Sequence, residues 1–264
     1  ARSTNVDFFS QKLPVQYITT YPSTSKLIQG FADGVCNTLA HEGLSLAEPR
    51  IRDAGYNGTG YTVTQSFFSE EPLAIVTRHD DPEFSDFVNA VVMALFVAEQ
   101  RNITKATSSS FPQTLAFGDD YKDMFKHAVS AEGNYGEMYA EYLEPFMTRQ
   151  SVNLVNDGSN GLMYSIPLGS IEWPEAEWIE RDVPSLQEIR NRGKLRCGVQ
   201  LDRPGFASLS SRDPGPVNGV EADFCRAISA SVLMGDDDVH FVELSNATDG
   251  FLKLYNNEVD VVAG

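Results

Sequence analysis

From Pro184 to Gly264 the chain alternates between helical and strand periodicity, and this alternation restricts the fold more than any other feature. PSLQEIRNRG (184–193) has helical spacing, with Ser185 and Glu188 placed for a capping box and Gly193 placed to end the helix. KLRCGV (194–199) follows as the first strand of this series. Then come an RPGF loop at Arg203–Phe206, a helix GVEADFCRAI from Gly219, a strand VHFVEL (239–244), another helix, and EVDVVAG (258–264). Strands separated by helices require crossover connections, which build a parallel sheet covered on both faces. The expected class is therefore α/β.

The earlier part of the chain has the same flavour. A helix begins near Ser3–Phe9, Val15–Thr20 alternates like a strand, and Ser23–Asp33 carries Leu27, Ile28 and Phe31 on one helical face before Gly34. Val35–Leu39, Tyr61–Thr64 and Ala74–Thr77 read as further strands, with a turn cluster between Tyr56 and Tyr61. Asp81 is placed as an N-cap and Pro82 as the first helical residue. Phe84, Phe87, Val88, Val91, Val92, Leu95 and Phe96 then form a wide apolar stripe, so this helix is expected to be buried. Lys105–Asp120 reads as irregular, Met124–Ser130 and Tyr135–Phe146 as helices, and Asn153–Asn160 as a polar turn.

The 264 residues suit one or two domains, and the formal net charge of −17 argues against nucleic-acid and anionic-membrane partners. An acidic solubilising surface is the plain reading of that charge. No apolar run reaches the ~20 residues needed to span a bilayer. The chain starts without Met or a signal peptide, so Ala1 reads as a processed or artificial end. Catalytic patterns are missing: the four histidines lack metal-site spacing, and GxSxG, GxGxxG and P-loop motifs do not occur. Asp80 and Asp81 are neighbours, but helix capping accounts for them. Asp236–Asp238 reads as a loop with at most weak affinity for Ca²⁺. The chain is therefore expected to be no enzyme, with no cofactor and no metal. Sequons at Asn57, Asn102 and Asn246 mark possible glycosylation, with Asn57 in the Gly-rich turn the best exposed. The cysteine count is odd: Cys36, Cys197 and Cys225.

Several segments together resemble a known family. The segment 184–199 with its downstream FCRA resembles the opening lobe of type II periplasmic solute-binding proteins of the general L-amino-acid-binding family. SEEPLAIVTRHDDPEFSDFVNAVVMALFVAEQRNIT (Ser69–Thr104), GNYGEMYAEYLEPF (Gly133–Phe146) and GLMYSIPLG (Gly161–Gly169) are similar to that family's closing half. GVCNTLAHEGLSLA (Gly34–Ala47) is similar to its second lobe. The halves thus stand in inverted order. The resemblance implies a two-lobed type II solute-binding fold, permuted, with an incomplete second lobe. Residues 1–65 would be part of lobe 2, and 66–169 the return to lobe 1 with the C-terminal helices. Residues 170–182, acidic and carrying Trp173 and Trp178, would be a joint, and 183–264 the first half of lobe 1.

The same resemblance implies chemistry. Cys197 and Cys225 occupy positions commonly bridged in the family, which points to an oxidising compartment. Ser3 and Thr4 match a Thr pair that takes a ligand carboxylate, although ordinary N-capping explains them more simply. Glu42 stands where the family places its ammonium-binding Asp, one methylene shorter; a solvated turn acid is the other reading. Phe206 matches the aromatic that covers the ligand, with a core Phe at a turn as its alternative. Arg203 replaces a neutral residue and is either a contact for an acidic ligand or a surface arginine. The family's carboxylate-binding arginine falls past the position of Gly264, so the expected amino-acid binding is weak.

The expected function is an extracellular or secreted (periplasmic if bacterial) binding module, ancestrally for amino acids. The alternative is a structural subunit, completed by another copy or module of similar sequence, in a head-to-tail assembly. The inverted order fits either a circular permutant or a piece of a tandem array. In both cases Val15–Thr20 and Val35–Leu39 are expected to pair with strands from that partner, and Cys36 to bond a cysteine it supplies.

Overall fold

One buried carboxylate ties together two stretches of chain more than a hundred residues apart. In the computed structural model, Asp81 accepts a hydrogen bond from the Phe84 amide (3.0 Å) on one oxygen and from the Ser185 amide (2.7 Å) on the other. It therefore caps two helices, one in each stretch. The structure describes residues 4–47, 51–52, 56, 60–63, 73–149, 183–209, 216–235 and 237–264. Ser3, Asn57, Asp236, the GLMYSIPLG peptide, the Asn153–Asn160 turn and the joint at 170–182 lie outside them.

Two compact units divide the chain: Ala1–Glu70 with Pro145–Thr148, and Glu71–Glu144 with Arg149–Gly264. The first contains helices α1 (Thr4–Lys12) and α2 (Thr24–Ala32), with 3-10 turns at Val15–Tyr17 and Gly43–Leu46. Ser23 caps α2 through the Lys26 amide at 3.3 Å. Ile28 and Ile51 are buried, and Phe31, Tyr56 and Tyr61 meet in an aromatic trio with centroids 5.2–6.3 Å apart. The strands expected at Val15–Thr20 and Val35–Leu39 do not form, and neither does the described part of Tyr61–Thr64. Val15 (74 %) and Val35 (66 %) stand exposed. An extended stretch becomes a strand only when a neighbour completes its ladder, and among the described residues of this unit there is no strand to offer one.

The second unit is a mixed α/β body. Strand β1 (Ile75–Val76) leads into helix α3 (Pro82–Gln100), followed by α4 (Met124–Glu132) and α5 (Tyr135–Tyr142). Farther along come α6 (Ser185–Arg192), β2 (Leu195–Val199), β3 (Asp202–Arg203), β4 (Ala207–Leu209) and β5 (Val217–Asn218). Helix α7 (Val220–Val232), β6 (Val239–Glu243), α8 (Ala247–Tyr255) and β7 (Val261–Ala263) complete the series. The main sheet has the order β1-β7-β2-β6. β2 runs parallel to both β6 and β7, in register Cys197↔Phe241 and Cys197↔Val261, while β1 pairs antiparallel with β7, Val76 opposite Val262. The alternation that begins at Pro184 thus yields the parallel sheet it predicts. Side chains alternate across β2: Cys197 faces α7, to which it is disulfide-bonded through Cys225 with Cα atoms 6.3 Å apart. On the other face Val242 and Val262 pack with Leu244, Leu254 and Val259.

The predicted apolar stripe of α3 is buried at Phe84, Phe87, Val88, Val91 and Leu95. Phe87 meets Phe117 and Tyr121 edge-on at 5.2 and 5.1 Å. Ser231 of α7 donates to the Met124 carbonyl at 3.0 Å, joining α7 to α4. Three details depart from the sequence reading. Pro184, rather than Ser185, occupies the cap position of α6; Ser185 is the first residue of the helix, and its amide donates to Asp81. Glu188 accepts from the Asn257 side chain at 3.3 Å. Lys105–Ser110 is a 3-10 helix rather than irregular chain, held by a reciprocal Thr104–Thr107 capping box. Helix α5 ends at Tyr142, short of Phe146.

The GNYGE segment is a capping and packing device. Asn134 and Glu137 bond each other's amides at 3.0 and 2.9 Å. Glu137 also accepts from the Lys105 amide (3.0 Å), and the Asn134 amide group donates to the Ile103 carbonyl (2.9 Å). Tyr135 packs on Phe96 and stacks on Phe224. At Gly136 a Cβ would lie 2.7 Å from a Glu99 carboxylate oxygen, so glycine lets that acid approach. Glu99 in turn receives both ends of the Arg149 guanidinium, which lies over Tyr135 and Tyr139.

Candidate functional site

In a parallel sheet ligands gather at the carboxyl ends of the strands, because the crossover loops that vary in sequence leave from there. β2 ends at Val199, and the chain doubles back through the three-stranded sheet β3-β4-β5. The Arg203–Phe206 turn closes with the Phe206 amide bonded to the Arg203 carbonyl at 3.0 Å. Its outer carbonyls are then taken by the start of α7: Val220 donates to Gly205 (3.1 Å) and Glu221 to Phe206 (2.9 Å). The first amides of α7 are thereby satisfied by this turn. Gly219, at φ +128°, permits the contact, since a Cβ there would stand 2.2 Å from the Phe206 carbonyl oxygen.

Upon this turn sits the candidate site. The Arg203 guanidinium lies 4.9 Å from the Phe206 ring centroid and donates to Glu221 at 2.9 Å. The Glu221 side chain is 4 % exposed and that of Arg203 16 %. A Cβ on Gly264, just past β7, would come within 3.3 Å of Arg203 Nη1. Arginine, carboxylate and half-buried aromatic therefore share the carboxyl edge of β2 and β7. Such a set fixes a planar cation over an aromatic face, with donors in a rigid fork suited to a carboxylate or an amide.

Arg203 and Phe206 are thus brought together. Thr4 opens α1 in the other unit. Glu42 is exposed in that unit, and its amide donates to His41 Nδ1 at 2.7 Å while His41 Nε2 meets the Thr24 hydroxyl at 3.1 Å. Cys36 is a free thiol, 3.6 Å from the Tyr21 hydroxyl. Asn102 is exposed at φ +55° just after α3, and Asn246 caps α8 by accepting the Asp249 amide at 3.0 Å.

Sequence reasoning missed Glu221, an acid in the first turn of α7. It also missed a second charged cluster. Asp223 is buried at 2 % exposure and paired with Arg226 at 2.7 Å. Arg226 also donates to the Val217 carbonyl and covers the Phe241 ring. Burial pushes Asp223 up to about 6, against the pull of Arg226, and pushes Glu132 up to about 7 with help from the Asp223 charge. Burial likewise raises the Tyr142 hydroxyl above its ordinary range. The only sequence signal was the spacing of Asp223 and Arg226 within one helix. Among the described residues no helix is long and apolar enough to cross a membrane, and no group of three or more His, Cys, Asp or Glu is placed to hold a metal ion.

Comparison with known proteins finds partial likenesses. A glutamate/glutamine/aspartate/asparagine-binding protein of Rhodobacter capsulatus is 32% identical over 127 residues, covering 42% of this chain and 37% of that protein. A putative amino-acid ABC transporter-binding protein of Escherichia coli is 32% identical over 79 residues, 30% of this chain and 22% of that protein. A general L-amino acid-binding periplasmic protein of Rhizobium johnstonii is similar to the same extent. The chain spans little more than a third of the length of the first of these relatives and under a quarter of the others. No family model matches the chain, and no solved structure matches it either.

Proposed function

We propose that this chain is a non-enzymatic, amino-acid-binding module of the type II solute-binding kind, working outside the cytoplasm, with its halves in permuted order. The observation that carries the reading is the Arg203–Phe206–Glu221 group at the carboxyl edge of a parallel sheet, in a chain similar to amino-acid-binding proteins. Phe206 covers the ligand's side chain, and Arg203 engages its polar or acidic end. Ser3, Thr4 and Glu42 stay candidate ligand contacts on the resemblance alone. The disulfide at Cys197–Cys225 fits an oxidising compartment. The permuted order draws support from the packing of 73–144 with 183–264, joined by the β1–β7 pair and by Asp81.

Titration calorimetry of the chain with L-glutamate, L-glutamine, L-aspartate and L-asparagine tests the proposal. Saturable heat is expected with at least one of them, and Arg203→Ala is expected to weaken it by about tenfold to a hundredfold, the effect of losing a hydrogen bond to a charged group. The absence of saturable heat with all four rejects the reading. The competing role, a structural subunit completed by a second copy, is not favoured by any observation among the described residues. Light scattering that finds a ligand-binding monomer removes it. Glycans at Asn57, Asn102 and Asn246 are a separate proposal, checked by peptide mass mapping of native material.

A further inference from the structure

Three contacts hold the Arg203 guanidinium. Its Nη1 donates to Glu221 at 2.9 Å, its plane covers the Phe206 ring at 4.9 Å, and the chain past β7 closes in at Gly264, where a Cβ would stand 3.3 Å from Nη1. These contacts leave Nε and Nη2. Among the described residues neither has a hydrogen-bond partner, and neither is sealed from solvent. A fixed arginine thus keeps two adjacent donors open at the carboxyl edge of the sheet. Its charge is already matched. Glu221, with a side chain 4 % exposed, is buried more deeply than Arg203, so water screens it little. The neighbouring charges at this edge are also negative: Asp202 precedes Arg203 in β3, and Glu243 ends β6 opposite Val199. Arg226, farther along α7, is taken by Asp223.

We infer that Glu221 sets the charge preference of this site, so that it takes amino acids with an amide side chain, glutamine or asparagine, over their acidic counterparts; the inference rests on the amino-acid-binding reading of the Arg203–Phe206–Glu221 group. An unpaired arginine favours a carboxylate. Arg203 is paired, and a ligand carboxylate at Nε and Nη2 would face Glu221 across the width of one guanidinium. Repulsion at that separation cancels most of the attraction to Arg203, because the two distances are similar and the medium is the same. What remains does not offset the cost of taking the carboxylate out of water. An amide oxygen accepts the same two donors with no like charge opposing it and a smaller desolvation cost. Phe206 covers the methylenes of either ligand alike, so it contributes affinity without choosing between them. Specificity is the difference between two affinities, and here the repulsive element supplies it.

Titration calorimetry of the complete chain with the two pairs, glutamine against glutamate and asparagine against aspartate, measures the preference. In wild type the better-bound amide is expected to bind at least about tenfold more tightly than its acid. Glu221→Gln keeps an acceptor for Nη1 and removes the charge. It is expected to raise the affinity for the acid at least about tenfold while moving the amide by no more than about threefold. Circular dichroism checks that the variant folds. A second measurement needs no variant: glutamate γ-methyl ester keeps the side-chain carbonyl without its charge, and is expected to bind wild type at least about tenfold more tightly than glutamate. Wild type that binds an acid as tightly as its amide overturns the inference. So does a folded Glu221→Gln with an unchanged ratio, or an ester that binds no better than glutamate. No saturable heat with any of the four amino acids rejects the underlying reading of the site, and the inference falls with it.

Discussion

Val15–Leu39 and Leu195–Ala263 both contain runs of strand-forming residues, yet only the second stretch forms a sheet. In the second, β2 has partners on both sides, and Leu195, Cys197 and Val199 are fully buried. In the first, Val15, Tyr17 and Val35 face solvent, and the runs on either side of α2 turn in 3-10 and irregular steps. The lesson is that apolar composition sets how much burial is available, while the ladder decides whether a strand exists at all. The two cysteine environments differ in parallel. Cys197 and Cys225 are fully buried and bonded, whereas Cys36 is a partly exposed free thiol beside Tyr21.

If the second unit holds the stability, the largest losses should come from its core. Phe87→Ala removes a fully buried ring that touches Phe117 and Tyr121, and is expected to cost about 3–5 kcal/mol in urea unfolding. Replacing both Cys197 and Cys225 by Ala opens a link across 28 residues and is expected to cost about 3 kcal/mol, visible as a lower urea midpoint. Asp81→Ala uncaps α3 and α6 together and is expected to cost about 2 kcal/mol, with exchange rising at both helix starts. In the first unit, Ile28→Val is expected to cost about 1 kcal/mol by the same measure. Tyr17→Ser, at a 71 % exposed position, should stay within about 0.5 kcal/mol. A Tyr17→Ser loss comparable to that of Phe87→Ala would break the contrast between the regions.

The charged groups sharpen the same contrast. In the second unit they are organised around buried acids: Asp260 takes Arg192 and Arg196 (2.5 and 2.8 Å), and Glu221 takes Arg203. In the first unit the described pairings of Glu42, His41 and Thr24 lie nearer the surface. Such surface contacts contribute little, because water competes for them.

Much of this was written in the sequence. The period changes after Pro184 specified the helix–strand series and its parallel sheet, because crossovers leave no other pairing. Asp81-Pro82 and the apolar stripe after it specified a capped and buried helix, since both act within a few residues. Gly193 ended α6 in the left-handed conformation for the same local reason. Only the tertiary structure decided what depends on distant partners. It gave the Ser185 amide to Asp81, denied Val15–Thr20 and Val35–Leu39 a ladder, and laid Arg203 over Phe206 with Glu221 as its ion-pair partner. Periodicity and capping are fixed by neighbours in the chain, whereas ladder partners, ion pairs and buried charge are fixed by neighbours in space.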